Sequence, residues 1–113
     1  MKKWVLILIL CAIVFTAASV ISVTVLVPLI SYNQAETALN EGRYEDAIAA
    51  FAELGDYKDS SEKLLESRYM AAKAKLDEGK YEQAMQEFSD LKSYRDSPDL
   101  YREARFRWGK ALM

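Results

Sequence analysis

The nineteen residues GRYEDAIAAFAELGDYKDS, Gly42 to Ser60, return 37 positions later as GKYEQAMQEFSDLKSYRDS, Gly79 to Ser97, with nine positions identical. Arg/Lys, Ile/Met, Glu/Asp and Lys/Arg pairs fill several of the others. The register extends backward, because Tyr32, Ala35, Leu39 and Glu41 fall on Tyr69, Ala72, Leu76 and Glu78. A chain that repeats itself every 20–50 residues or so builds stacked units, each covering its apolar face with the next. That expectation takes precedence over any single-core fold.

Within each unit the apolar spacing is helical. Leu65, Tyr69, Ala72 and Leu76 lie at i, i+4, i+7 and i+11, and Tyr81, Ala84, Met85, Phe88 and Leu91 make a similar stripe on a second segment. No stretch alternates with period two for long enough to make a strand, so the fold class is all-α. Gly42 and Gly79 stand where a left-handed residue would end the first helix, and glycine adopts that conformation without steric cost. Each unit is therefore expected to be a helical hairpin. Ala35, Ala47, Ala72 and Ala84 occupy apolar-face positions and let helices approach, while Tyr32, Phe51, Tyr69 and Phe88 fill the space beside them.

The string Gly-basic-Tyr-Glu-x-Ala-Ile/Met-x-x-Phe, at Gly42 to Phe51 and Gly79 to Phe88, closely resembles the inter-helix turn and second helix of tetratricopeptide repeats. The resemblance covers residues 32–113, and five positions match twice in one register. It departs from that family in its period, which is usually about 34 residues, and in lacking a closing proline in the first unit. Leu54-Gly55-Asp56-Tyr57-Lys58-Asp59-Ser60 is similar to linkers of exported or membrane-anchored tetratricopeptide proteins of Gram-positive bacteria. What the resemblance implies is a repeat domain over 32–113, with units at about 32–67 and 69–104 and a partial third unit or capping helix at 105–113. It also implies a non-catalytic scaffold or adaptor that binds another protein or peptide segment. The groove of such proteins is lined mainly by the first helix of each hairpin, which carries over here to Asn33, Arg68, Lys73 and Lys75.

The repeated phrase Tyr-basic-Asp-Ser has an account in helix chemistry. Asp59 and Asp96 each precede a helical segment and are expected to cap it, with Glu62 and Asp99 three positions on and Pro98 tolerated in a first turn. Tyr57 and Tyr94 are expected to cover the joint between hairpins. The second copy lacks the Gly-Asp pair, so a tighter or differently shaped turn is expected at Lys92-Ser93. Ser31 and Gln34 have capping-box spacing, which predicts that the first helix of the array begins afresh after Pro28.

Ahead of the array, Trp4 to Ile30 carries no charged residue. As a helix this run reaches about 40 Å, against a bilayer hydrocarbon core of about 30 Å. Residues 1–31 are thus read as a cytoplasmic tip and a transmembrane helix, in contact with the membrane through 4–30. A cleaved signal peptide is the competing reading, since Lys2 and Lys3 and the small residues Thr16 to Ser19 suit one. Cleavage there would leave the apolar SVISVTVLVPLI at the start of the mature chain. A lipoprotein start at Cys11 is disfavoured by the bulky Leu8-Ile9-Leu10 before it. With Lys2 and Lys3 before the run and Glu36 and Glu41 after it, the N-terminus is expected inside and the array outside the cell membrane.

Beyond residue 31 the chain has 13 basic and 17 acidic residues, a balance that offers nucleic acid no electrostatic footprint. There is no histidine, and Cys11, the one cysteine, lies in the apolar run. His-based catalysis and Cys/His metal sites are thereby excluded from residues 32–113. Glu45, Asp46, Glu82 and Glu87 fall on polar helix positions, and the four glycines form no phosphate loop. No cofactor, no metal and no enzymatic activity are expected.

One more step of 37 places Phe106, Gly109 and Met113 on Tyr69, Ala72 and Leu76, so FRWGKALM opens a third unit. It reads either as a solitary covering helix or as part of a longer array. Arg102, Arg105, Arg107 and Lys110 read as a solvated face or as a contact for an acidic partner or anionic surface. An alternative function is structural: a self-associating membrane protein whose array is completed by a second copy, with the seam at Phe106, Trp108 and Met113.

Overall fold

The computed structural model describes residues 2–21, 24 and 26–113, and among these there are six α-helices and no strand. They are α1 (Lys2–Ile21), α2 (Val27–Asn40), α3 (Tyr44–Leu54), α4 (Ser60–Asp77), α5 (Tyr81–Leu91) and α6 (Ser97–Leu112). From α2 onward each helix packs on the next, and α4 also touches α6. The all-α expectation holds, with hairpins α2/α3 and α4/α5 followed by α6. The boundaries drawn at 31, at 67–69 and at 104 each fall inside a helix, because the apolar register repeats without marking where a helix begins. The start expected after Pro28 is corrected as well. Helix α2 runs from Val27 with Pro28 next in sequence, Leu26 before it already has helical backbone angles, and Ser31 lies within the helix rather than capping it.

Two apolar clusters form the core, one per hairpin. Tyr32, Ala35, Ala38, Ala47 and Phe51 make the first, with Leu54, Tyr57 and Leu64 against it. Tyr69, Ala72, Leu76, Ala84, Phe88, Leu91 and Ala104 make the second. The alanines expected at helix contacts are all buried, and the aromatic residues beside them meet edge to face, Tyr32 on Phe51 at 5.9 Å and Tyr69 on Phe88 at 6.3 Å. Burying one such phenylalanine stabilises by about 1.5–3 kcal/mol. Leu65, read from its spacing as an apolar-face residue, is exposed, and Leu64 makes the contact instead.

The turns inside the hairpins follow the glycines. Gly42 and Gly79 have φ of 80° and 81°. Gly42 N–H donates to the Leu39 carbonyl and Arg43 N–H to Ala38, while Gly79 and Lys80 repeat those bonds to Leu76 and Lys75. These paired bonds satisfy the free carbonyls at the end of α2 and α4.

Between hairpins the expected difference in turn shape is not found. Gly55 sits at φ 59°, ψ −118° and Lys92 at φ 56°, ψ −120°. Lys58 and Arg95 follow at φ 50° and 48°. Tyr57 N–H bonds the Leu54 carbonyl and Ser60 N–H the Tyr57 carbonyl, and the second linker repeats both between Tyr94 and Leu91 and between Ser97 and Tyr94. Lys92 thus takes the glycine-type conformation of Gly55, and the same turn hydrogen bonds follow each.

The capping role given to Asp59 and Asp96 is also corrected, since neither side chain bonds the first turn of the helix it precedes. Each carboxylate instead accepts the hydroxyl of a buried tyrosine in the previous unit, Asp59 from Tyr32 and Asp96 from Tyr69. Tyr57 and Tyr94 close the joints as expected, packing edge to face on those same tyrosines at 6.1 and 5.8 Å. Lys58 Nζ lies 5.0 Å from the Tyr32 ring centre, and the Arg95 guanidinium 5.3 Å from that of Tyr69. The phrase is written twice because three of its four residues grip one tyrosine.

Helix α1 presents Trp4 to Phe15 with most of its large apolar side chains at least half exposed. Among the described residues no helix is long and apolar enough to cross a membrane. The stretch from Trp4 to the end of α1 at Ile21 rises about 27 Å, short of a hydrocarbon core of about 30 Å. The continuation of the uncharged run through residues 22, 23 and 25 lies outside the described residues.

Candidate functional site

Helix α4 runs between α3 and α5, and two adjoining hollows of about 350 Å³ each open along it. One is lined by Glu45 and Ile48 from α3, Arg68 from α4, and Glu87, Asp90 and Leu91 from α5. The other lies under the Gly42-to-Asp46 turn and is floored by Ala71, Ala74 and Lys75. Glu45 borders both. Arg68, Ala71 and Lys75 are spaced i, i+3 and i+7, so one face of α4 supplies the floor throughout.

The charges along this floor are organised. The Lys75 ammonium bonds Glu87 and stands 3.6 Å from Glu45, so one lysine ties α4 to both neighbours. Its side chain is only 22% exposed. The hydrogen bond to Glu87 raises its pKa, against a desolvation that lowers it. Tyr69 is pushed up to about 12, chiefly by its hydrogen bond to Asp96 and then by burial. Tyr32 is raised further, first by Asp59 and then by burial. All three shifts hold the group in the state it already has near neutral pH.

The four residues assigned to a partner groove are not brought to one place. Arg68 is exposed in the α3/α5 hollow. Lys75 borders the second hollow but is committed to two carboxylates, which removes it as a free contact. Lys73 lies elsewhere on α4, its Nζ 5.5 Å from the Tyr69 ring centre. Asn33 is on α2, beside Ile30, Gln34, Thr37 and Arg43. Glu45 and Glu87, read as plain solvated carboxylates, turn out to frame the hollow. The sequence signal for them was available only as opposite charge on facing helices, which needs the hairpin geometry first. Among the described residues no group of His, Cys, Asp or Glu is placed to hold a metal ion.

Comparison with protein-family models, with curated proteins and with solved structures gives no match.

Proposed function

We propose that the chain is a membrane-anchored helical-repeat module of tetratricopeptide type, a non-catalytic scaffold or adaptor that presents its array to another protein outside the cytoplasmic membrane. The observation that carries this reading is the reproduction of one joint at two places. The Tyr32–Asp59 and Tyr69–Asp96 pairs, the Gly42 and Gly79 turns and the Tyr57 and Tyr94 contacts are equivalent members of a stacked series. Stacked arrays create extended, open, mixed-charge surfaces suited to protein segments. The α3/α5 hollow has that character, with Arg68 exposed beside Ile48, Leu91 and three acids. The span in this reading rests on the uncharged sequence from Trp4 onward, of which α1 is the described part, with its large apolar side chains from Trp4 to Phe15 exposed. The uncharged run also continues in sequence to Ile30.

The test is photo-cross-linking in intact cells, with probes at Arg68, Lys73 and Asn33 and a control at the exposed Gln86. A distinct second protein captured from Arg68, and not from Gln86, is the expected outcome. Capture of nothing but further copies of this chain would replace this reading with the self-associating one. That alternative has one observation in its favour, the exposed Phe106 and Met113 at the end of the array. Against it, two copies of α6 meeting across a two-fold axis would set Arg105 and Lys110 against the same cations of the other copy.

A further inference from the structure

Helix α6 repeats α4 but buries only Ser97 and Ala104, where α4 buries six residues. On the side facing the preceding hairpin the two agree: Leu64 of α4 packs into the first cluster, and Leu100, Tyr101 and Ala104 of α6 pack into the second. On the other side, α4 buries Tyr69, Ala72 and Leu76 against α5. Their counterparts 37 positions on, Phe106, Gly109 and Met113, are exposed, Phe106 at 66%. The cation over the ring is already in place, Lys110 Nζ lying 5.3 Å from the Phe106 centre as Lys73 lies 5.5 Å from that of Tyr69.

The charge around this face specifies its occupant. Arg102, Arg105, Phe106, Gly109, Lys110 and Met113 line an open hollow of about 520 Å³. Arg102 and Arg107 pair with Asp99 and Glu103 of their own helix, while Arg105 and Lys110 pair with no acid among the described residues. The two helices that fill this role earlier in the array, YEDAIAAFAEL and YEQAMQEFSDL, each carry three acids and no base. Arg68, the counterpart of Arg105, shares its hollow with Glu87 and Asp90 of such a helix. Gly109 has nothing within 4 Å of where a Cβ would stand, so a helix can approach closely there.

We propose that the Phe106/Gly109/Met113 face of α6 is a docking site for an acidic amphipathic helix of the α5 pattern borne by a partner protein. The helix lays an aromatic-and-alanine stripe over Phe106 and Gly109 and sets its acids against Arg105 and Lys110. This surface is separate from the α3/α5 hollow, so either can fail without the other.

The probe is a fluorescein-labelled peptide of residues 79–94, held helical by a staple replacing Gln83 and Gln86. Anisotropy is read against the full chain in zwitterionic nanodiscs, with empty nanodiscs as the blank. Saturable binding is expected, weakened roughly tenfold or more by Phe106→Ser, given the apolar area that residue offers. A peptide with Glu82→Lys, Glu87→Lys and Asp90→Lys is expected to lose binding to the natural chain and regain it with Arg105→Glu and Lys110→Glu together. Circular dichroism checks that the variants remain folded. Absence of saturable binding, or binding indifferent to Phe106 and to charge reversal, overturns the proposal. So do two other outcomes: Phe106-dependent growth in size with concentration, which assigns the face to a second copy, and Phe106-dependent attachment to anionic vesicles without peptide binding, which assigns it to lipid.

Discussion

Lys92 and Gly55 hold one backbone conformation with two side chains, and only one of them suits it. A positive φ near 56° with ψ near −120° costs a residue with a Cβ about 1–3 kcal/mol. Lys92→Gly is therefore expected to stabilise the full chain in detergent by about 1 kcal/mol, read as a higher midpoint in thermal unfolding. Gly55→Ala is expected to destabilise by a similar amount, although nothing stands within 4 Å of its Cβ position, because the cost is conformational. A second contrast lies in the two linker serines. Both are fully buried, but Ser60 Oγ donates to the Tyr57 carbonyl while Ser97 Oγ has no partner among the described residues. Ser60→Ala is expected to cost about 1 kcal/mol and Ser97→Ala close to nothing, since a made bond is lost in one and an unmet hydroxyl in the other. Glycine positions, buried alanines and paired aromatic residues were legible in the sequence because each follows from local conformation or spacing. Asp59 and Asp96 were not. A capping rule sees only the next three residues, whereas each carboxylate is claimed by a tyrosine 27 positions earlier.

At the scale of the helix the packing alanines set how closely neighbours approach. Ala84 is fully buried between α4 and α5, so Ala84→Leu is expected to destabilise by about 1–3 kcal/mol through overpacking. Ion pairs between helices and within one are unequal. Lys75 and Glu87 are 22% and 30% exposed and join α4 to α5, whereas Arg102 and Asp99 are 75% and 74% exposed within α6. Double-mutant cycles are expected to give a coupling of about 0.5–1 kcal/mol for the first pair and near zero for the second. Helix identity and order could be read from the period, but helix starts could not. Helix α2 begins at Val27, four residues before the serine that marked a start, and Leu26 ahead of it is already helical in its backbone angles, so the capping-box spacing at Ser31 marked no boundary. Of the candidate site, Arg68 and Lys75 were legible, but not the partners of Lys75. Lys75, Glu45 and Glu87 meet across three helices, and a repeat alignment pairs equivalent positions without saying which of them face each other.

For the whole molecule the joints give stability a common pH dependence. Tyr69 is held neutral to about 12 by its bond to Asp96, Tyr32 is raised in the same direction, and Lys75 is raised by Glu87. Groups whose pKa rises on folding contribute fully below their unfolded values, near 10 for tyrosine and 10.4 for lysine, and that contribution is lost as pH rises through the folded values. Unfolding midpoints are thus expected to fall from about pH 10 upward, and Tyr69→Phe is expected to flatten part of that fall. The array so joined is read as standing outside a membrane on one apolar helix, and this arrangement is open to direct measurement. In a Cys11→Ala background, Gln83→Cys places a lone thiol on the exposed face of α5. Intact cells are treated with a membrane-impermeant maleimide, and their membranes are then washed with alkaline carbonate. Labelling without lysis is expected, with the labelled chain retained in the washed membrane. Labelling only after lysis would place the array inside the cell, and release by carbonate would remove the anchor; either result contradicts an exported, tethered module.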